Sequence, residues 1–172
     1  MLKFFNSLLK GLKRISQYEE RSIGQELTKN VRLERLLDKN LGYLKTKGFK
    51  VKRPEIWLAA REKKFNRQTY RQTNVLAEAS VDNFIVVYPR LFRHDDMCVE
   101  IIIAHELGHI IDFQTGRIGH PLFDNIRHLD AEMFAHAIAA YLHSKLAVAV
   151  IYRQLQIFPY DELSLSQLML KH

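Results

Sequence analysis

The sequence contains a single cysteine, Cys98, among its 172 residues. One cysteine cannot form an intramolecular disulfide, and it excludes structural zinc sites built from several cysteines. The fold therefore does not depend on an oxidising compartment, and the sequence predicts a cytoplasmic protein. Residues 1–17 are basic but lack the uninterrupted apolar core and the small-residue cleavage site of a signal peptide.

Glycine and proline are also scarce, with seven and four residues. Such a composition excludes collagen-like and low-complexity chains. Apolar runs, such as residues 146–152, fall well short of the ~20 residues needed to cross a bilayer, so the sequence predicts no integral membrane span. With 47% hydrophobic and 26% charged residues, the composition instead predicts a globular chain that buries a core.

Acidic residues are few in the first part of the chain. Residues 1–75 contain 19 Lys and Arg against 7 Asp and Glu, a net charge of +12. Residues 76–172 contain 7 against 12, a net charge of −5. This asymmetry favours a basic N-terminal half that contacts an acidic partner or an anionic surface. The alternative is a solvated basic surface that has no partner.

The N-terminal region is predicted to be helical. Residues 2–15 place six apolar side chains at helical spacing and four cations on the other side, which indicates an amphipathic basic helix. Docking of this helix on the protein's own core is favoured over an anchor on a membrane surface. A second helix is predicted from Gln25 to Leu44. We therefore divide the chain into a basic helical segment, 1–48, and a domain, 49–172, that form one compact unit.

The middle of the chain predicts a small antiparallel sheet. Residues 51–60 indicate a strand, with Pro54 marking an edge or a bulge. Residues 74–89 indicate a β-hairpin, because two β-prone runs flank Asp82 and Asn83, which both tolerate turn geometry.

Helices follow the sheet. An apolar helix is predicted over residues 97–113, where Asp95 or Asp96 can cap its start and Gly116 can end it. After a loop, another helix is predicted over residues 129–150 or beyond. The predicted order along the chain is therefore helices, a small sheet and again helices. This order is typical of an α+β fold.

The apolar helix contains the motif His105-Glu106-Leu107-Gly108-His109. Histidines at i and i+4 lie on one face of a helix, so both imidazoles can reach one Zn²⁺ at about 2.0–2.1 Å. Glu106 can reach a water on that ion without displacing a histidine. Burial of these polar groups without a partner would be costly, so the motif predicts a zinc site. Histidines that only hydrogen-bond within the core are the alternative.

A catalytic zinc needs a third protein ligand and an open position for water. The downstream candidates are Asp112, His120, Asp124, His128, Asp130, Glu132 and His136. Glu132 is favoured over Asp130, because small residues on its side of the next helix let two helix backbones approach closely. Asp112 lies one turn after His109, where it is better placed to orient an imidazole.

These residues resemble a known family. HELGHIID and DAEMFAHAIAAYL, residues 105–112 and 130–142, resemble the gluzincin pattern of HExxH followed by ExxA on a second helix. They are similar to the anthrax lethal-factor peptidase domain and the Mlc-titration-factor peptidases, and more loosely to the ImmA/IrrE peptidases, which act on regulatory proteins. The resemblance implies a zincin-like metallopeptidase domain over residues 49–172, with a small antiparallel sheet, an HExxH helix and a ligand-bearing helix.

The resemblance also implies an activity. It implies that the protein is a zinc metallopeptidase. Such an endopeptidase would hydrolyse peptide bonds of a protein substrate, such as a regulatory protein. His105, His109 and Glu132 are the implied zinc ligands. Glu106 is the implied catalytic base, which activates a zinc-bound water.

One position departs from the pattern. Many gluzincins have an acidic residue four positions after the glutamate ligand, where this chain has His136. Either His136 takes a different role beside the ligands, or Asp112 orients a ligating histidine. Tyr141, His136 and His128 are candidate donors to the oxyanion. Residues 84–88 are a candidate strand edge for an extended peptide.

A different class of function stays open. The alternative is a catalytically weak zincin-fold protein that binds or regulates a partner through its basic N-terminal half. A nucleic-acid binder is disfavoured, because the sequence has no helix-turn-helix signature, no zinc-finger spacing and no aromatic-rich basic strand.

Overall fold

A computed structural model describes residues 31–62 and 75–155 of the chain. Helices and a small sheet make up these ranges, which confirms the predicted α+β class. The elements are α1 (Val31–Thr46), β1 (Glu55–Leu58), β2 (Ala77–Ser80), β3 (Phe84–Val87), a 3₁₀ helix (Pro89–Arg93), α2 (Asp96–Thr115), α3 (Pro121–Ile126), α4 (Ala131–Leu142) and α5 (Lys145–Leu155). The helix predicted over residues 2–15 lies outside the described residues.

The sheet is mixed, with strand order β1-β3-β2. Strands β2 and β3 form the predicted antiparallel hairpin, in which Ala77 pairs with Val87 and Ser80 with Phe84. Asn83 adopts a left-handed conformation at the turn, with φ of 66°. Strand β1 runs parallel to β3, so the prediction of an antiparallel sheet is wrong for this strand. A strand pattern shows that a segment is extended, but it does not show the direction of its partner.

Strand β3 is the central strand. Ile85 and Val87 belong to the main core, while Phe84 on the opposite face stacks on Trp57 with ring centroids 4.2 Å apart. Because β1 and β2 pair with β3 on both sides, the strand over residues 84–88 offers no open edge. The prediction that it binds an extended peptide is therefore wrong.

Helix α2 begins and ends where the sequence predicts. The Asp95 carboxylate caps its start by accepting a hydrogen bond from the Cys98 N–H at 2.8 Å. Gly116 ends it in the left-handed region, with φ of 54°. Thirteen of its 20 residues are buried, because α1, β2 and α4 all pack against it. This central helix carries the HExxH motif.

The helix predicted over residues 129–150 is two helices, so this prediction is wrong. His143 is extended, with φ of −111° and ψ of −166°. The Ser144 hydroxyl then accepts a hydrogen bond from the Ala147 N–H at 3.0 Å, as expected of the N-cap residue that precedes a new helix. His143 is held by Asn40 of α1, whose Oδ1 lies 2.9 Å from its Nε2. The chain therefore turns at this point and α5 packs back against α2 and α4.

The described part of the N-terminal segment shares this core. Helix α1 buries four leucines against the same cluster as α2, namely Leu33, Leu36, Leu37 and Leu44. A short helix, α3, occupies part of the stretch where the sequence predicted a loop. Among the helices that the structure describes, none has both the length and the apolar character needed to cross a bilayer.

Candidate metal centre

His105, His109 and Glu132 meet between α2 and α4. The Nε2 atoms of the two histidines lie 3.2 Å apart. One carboxylate oxygen of Glu132 lies 3.4 Å from Nε2 of His105, and the other lies 3.5 Å from Nε2 of His109. The structure thus brings together the three residues that were predicted as ligands. Asp130, the competing candidate, caps α4 by accepting a hydrogen bond from the Met133 N–H.

These distances fit a tetrahedral cation. Ligand atoms at 2.0–2.1 Å from a tetrahedral Zn²⁺ are about 3.3–3.4 Å from one another. Imidazole nitrogens and carboxylate oxygens are ligands that zinc takes in catalytic sites. The donor set and its spacing therefore suit the ion that the motif predicts.

With the Glu132 carboxylate ionised, protons on the two histidines do not satisfy this arrangement. With a proton on the Nε2 atoms of both His105 and His109, two N–H donors face each other at 3.2 Å. With a proton on only one of them, the other nitrogen faces a Glu132 oxygen, and both are acceptors. Each distribution leaves one unfavourable contact, whereas a cation at the centre attracts all three groups.

The cluster is open on the side of Glu132. The side chains of His105 and His109 are 10% and 12% exposed, whereas that of Glu132 is 63% exposed. Structural zinc sites are usually closed by four protein ligands, whereas catalytic sites have three and keep one position for water or substrate. Within the part of the chain that the structure describes, three clustered donors with one open side match the catalytic kind.

Close contact between α2 and α4 brings Glu132 to the histidines. A Cβ atom added at Gly108 would lie 2.6 Å from Cα and 3.1 Å from the carbonyl oxygen of Ala135. Real Cβ atoms do not approach backbone atoms so closely, so only glycine fits here. One of the small residues predicted to let two helices approach, Ala135, is therefore found at the contact, opposite Gly108 of the motif.

We expect Gly108→Ala to separate the two helices. Overpacking of a buried contact costs about 1–3 kcal/mol, and displacement of α4 would also move Glu132 away from the histidines. Urea unfolding and zinc titration measure the two effects. The matched control is Gly42→Ala on α1, where an added Cβ meets no atom within 4 Å and helix propensity favours alanine by about 1 kcal/mol. Equal stability and zinc affinity in the two variants would contradict the proposed role of Gly108.

Glu106 is buried beside the ligands. Burial raises the pKa of its carboxyl group to about 7, and the nearby Glu132 and Glu78 carboxylates act in the same direction. The neighbouring His105 and a hydrogen bond from the backbone N–H of Ala79 oppose this rise in pKa. A carboxyl group with a pKa near neutrality can both take up and release a proton under ordinary conditions.

His109 and Glu132 are in the protonation states that bind metals. Burial lowers the pKa of His109 to about 4, so its imidazole is neutral at neutral pH. The hydrogen bond with His105 lowers the pKa of Glu132 to about 2, so its carboxyl group is ionised. Neutral imidazole and ionised carboxylate are the forms that bind a metal ion.

The contacts that the structure shows for Asp112 and Tyr141 lie away from the metal cluster. Both carboxylate oxygens of Asp112 accept hydrogen bonds from Arg117, at 2.8 and 2.6 Å. The Tyr141 ring packs edge-on against Phe49 and lies below the Lys47 ammonium, 4.3 Å from the ring centroid. In the described ranges, neither side chain hydrogen-bonds to the cluster, so neither orients a ligand there directly.

The other candidate histidines are His136, His120 and His128. The His136 ring lies behind the cluster, with its centroid 4.7 Å from that of His105. Neither of its ring nitrogens has a hydrogen-bond partner among residues 31–62 and 75–155. His120 instead caps α3 and stacks on Phe49, and His128 is exposed.

Sequence reasoning missed Tyr152. Its hydroxyl lies 3.1 Å from Nδ1 of His105, and the residue is fully buried. In one continuous helix, Tyr152 would lie about 24 Å along the axis from His136. The centroids of their rings are in fact 4.9 Å apart, because the chain turns after α4. Ser144, a good helix N-cap, was the signal that could have revealed this turn.

Comparisons with known proteins add no match: no protein-family model fits the chain, and neither the curated proteins nor the solved structures include a significant relative.

Proposed function

We propose that the protein is a zinc-dependent endopeptidase of the gluzincin type with a zincin-like fold. The observation that carries the proposal is the arrangement of His105, His109 and Glu132, whose donor atoms lie 3.2–3.5 Å apart. Glu106, buried next to the first ligand, supplies the carboxylate that peptide hydrolysis requires. The gluzincin resemblance itself rests on these residues.

The chemistry divides between the ion and the chain. Zn²⁺, when bound, supplies Lewis-acid chemistry, which activates water and polarises a peptide carbonyl. The Glu106 carboxylate takes a proton from the attacking water and passes it to the leaving amine. Glu106 is held for this by its burial in α2 and by the backbone N–H of Ala79. His105, His109 and Glu132 would hold the ion.

We propose that an extended peptide binds along β2, next to Glu106. The Tyr88 N–H donates to the Leu76 carbonyl, so alternation in an antiparallel ladder turns the backbone groups of Ala77 and Ala79 away from β3. Because the Ala79 N–H contacts Glu106, the groups that face a peptide are those of Ala77 and the Ala79 carbonyl. Those groups form the outer edge of the described sheet. Strand addition there would place a peptide bond close to the metal centre.

A specific observation supports the second candidate, a binding protein of low activity. Lysines in the last turn of α1 and between α1 and β1 are exposed and form no ion pair within the described residues, namely Lys45, Lys47, Lys50 and Lys52. They provide positive charge for an acidic partner or an anionic surface, as the basic N-terminal half predicts. Such binding would weaken as salt rises, because exposed charges are screened over about 8 Å at physiological ionic strength.

Peptide cleavage by the full chain tests the proposed activity. We expect the zinc-bound protein to cleave members of a peptide library, a chelator to abolish cleavage, and added Zn²⁺ to restore it. Cleavage that persists after complete removal of metal would contradict the zinc mechanism. A zinc-bound protein that leaves both the library and denatured protein substrates intact would favour the binding protein instead.

A further inference from the structure

A metal-binding histidine has a second nitrogen that also needs a partner. If His105 binds a metal through Nε2 as a neutral imidazole, its remaining proton is on Nδ1. The residue is buried, so an unpaired N–H at this position would be unfavourable. Partners of the second nitrogen fix the tautomer and the ring orientation of metal ligands, and their loss typically lowers metal affinity 10–100-fold.

The sequence suggests two partners for a ligating histidine, Asp112 and His136. Among the described residues, neither forms a hydrogen bond with His105. Asp112 is paired with Arg117 through both oxygens. His136 lies near the His105 ring but forms no hydrogen bond with any described residue. The contact that the structure places at Nδ1 of His105 is with the Tyr152 hydroxyl, at 3.1 Å.

We propose that Tyr152 is the positioning residue of the metal centre. Its hydroxyl oxygen accepts the Nδ1–H of His105, which fixes the tautomer and points Nε2 towards His109 and Glu132. This inference rests on the proposed zinc site. Unlike a carboxylate, a tyrosine hydroxyl adds no negative charge, so it orients the ligand without reducing the positive charge of the centre.

The position of Tyr152 depends on the turn between α4 and α5. Ser144 caps the start of α5 after the extended His143, and α5 then packs against α2 and α4. Tyr152 itself is fully buried among these helices. It therefore cannot contact a substrate, and its effect on the reaction passes through His105.

Replacing Tyr152 with Phe tests this role. We expect the variant to bind Zn²⁺ about 10–100-fold more weakly in competition with a chromophoric chelator. The urea midpoint of the metal-free chain should change much less, since the ring that fills the core is kept. Tyr141→Phe is the matched control, because it removes a hydroxyl from a partly buried tyrosine whose described ring contacts are away from the cluster; it should bind zinc like the parent.

Direct observation of the imidazole adds a second test that needs no variant. In nitrogen-15 spectra of the zinc-bound parent, we expect His105 to carry its proton on Nδ1 and to bind the metal through Nε2. Metal binding through Nδ1, or parental zinc affinity in Tyr152→Phe, would overturn the role of Tyr152. A parent that binds no zinc would instead overturn the proposed function.

Discussion

Glu106→Gln is expected to lower peptide turnover by about 10²–10⁴-fold while the protein continues to bind zinc. The amide has the size of the carboxylate but cannot accept the proton of the attacking water. Glu106 is not among the clustered ligand atoms, so the affinity for zinc should stay close to that of the parent. Parallel zinc titrations and single-turnover assays on a validated peptide measure the two properties.

Glu100→Gln is the matched control on the same helix. Glu100 is also buried, but its carboxylate contacts Lys39 at 2.8 Å and lies 3.9 Å from His143, away from the metal cluster. Folded Glu100→Gln protein should therefore retain parental turnover. Parental turnover in Glu106→Gln, or equal losses in the two variants, would contradict a specific role of Glu106 as the base.

Glu132→Gln is expected to reduce zinc affinity by more than about 100-fold. Outer partners of metal ligands alone contribute 10–100-fold, and this change removes the one charged donor among the three described residues of the cluster. The Glu132 side chain is largely exposed, so the stability of the metal-free fold should change little. Competition with a chelator and urea unfolding separate the two effects.

Asp130→Asn provides the control for the choice between the two acidic residues. Asparagine caps helices about as well as aspartate, so the hydrogen bond to the Met133 N–H can be kept. This variant should bind zinc like the parent. Weak binding in Asp130→Asn together with parental binding in Glu132→Gln would assign the third ligand to Asp130 instead.

Local signals predicted much of the fold. Asp95 and Gly116 bound the apolar helix α2, because capping and a left-handed C-terminal residue act within one turn. The hairpin turn at Asn83 is likewise a local event. The parallel pairing of β1 was not predictable in this way, since it depends on how distant segments meet.

The break between α4 and α5 shows how an apolar pattern can mislead. Buried residues continue on both sides of His143, so the pattern resembles one long helix. The break depends on Ser144 as a cap and on Asn40 of α1, which contacts His143 across more than 100 positions of sequence. Periodicity cannot report such a contact.

The site was predictable to the extent that its residues share one helix or show a packing signal. His105 and His109 follow from i, i+4 geometry, and Glu132 follows from small residues such as Ala135, which meets Gly108. Tyr152 had only an indirect signal, the capping residue Ser144, because its approach to His105 requires the unpredicted turn. Local spacing and packing signals thus predict the three clustered residues, whereas tertiary packing determines which side chains contact them.

Zinc content at equilibrium tests the central claim most directly. The full chain is dialysed against buffered Zn²⁺, and the bound metal is counted per chain beside a variant in which both His105 and His109 are alanine. We predict that each parental chain binds about one Zn²⁺. The variant is expected to bind none at the same free zinc concentration. No bound zinc in the folded parent, or equal zinc in the two proteins, would contradict a metal centre at His105, His109 and Glu132.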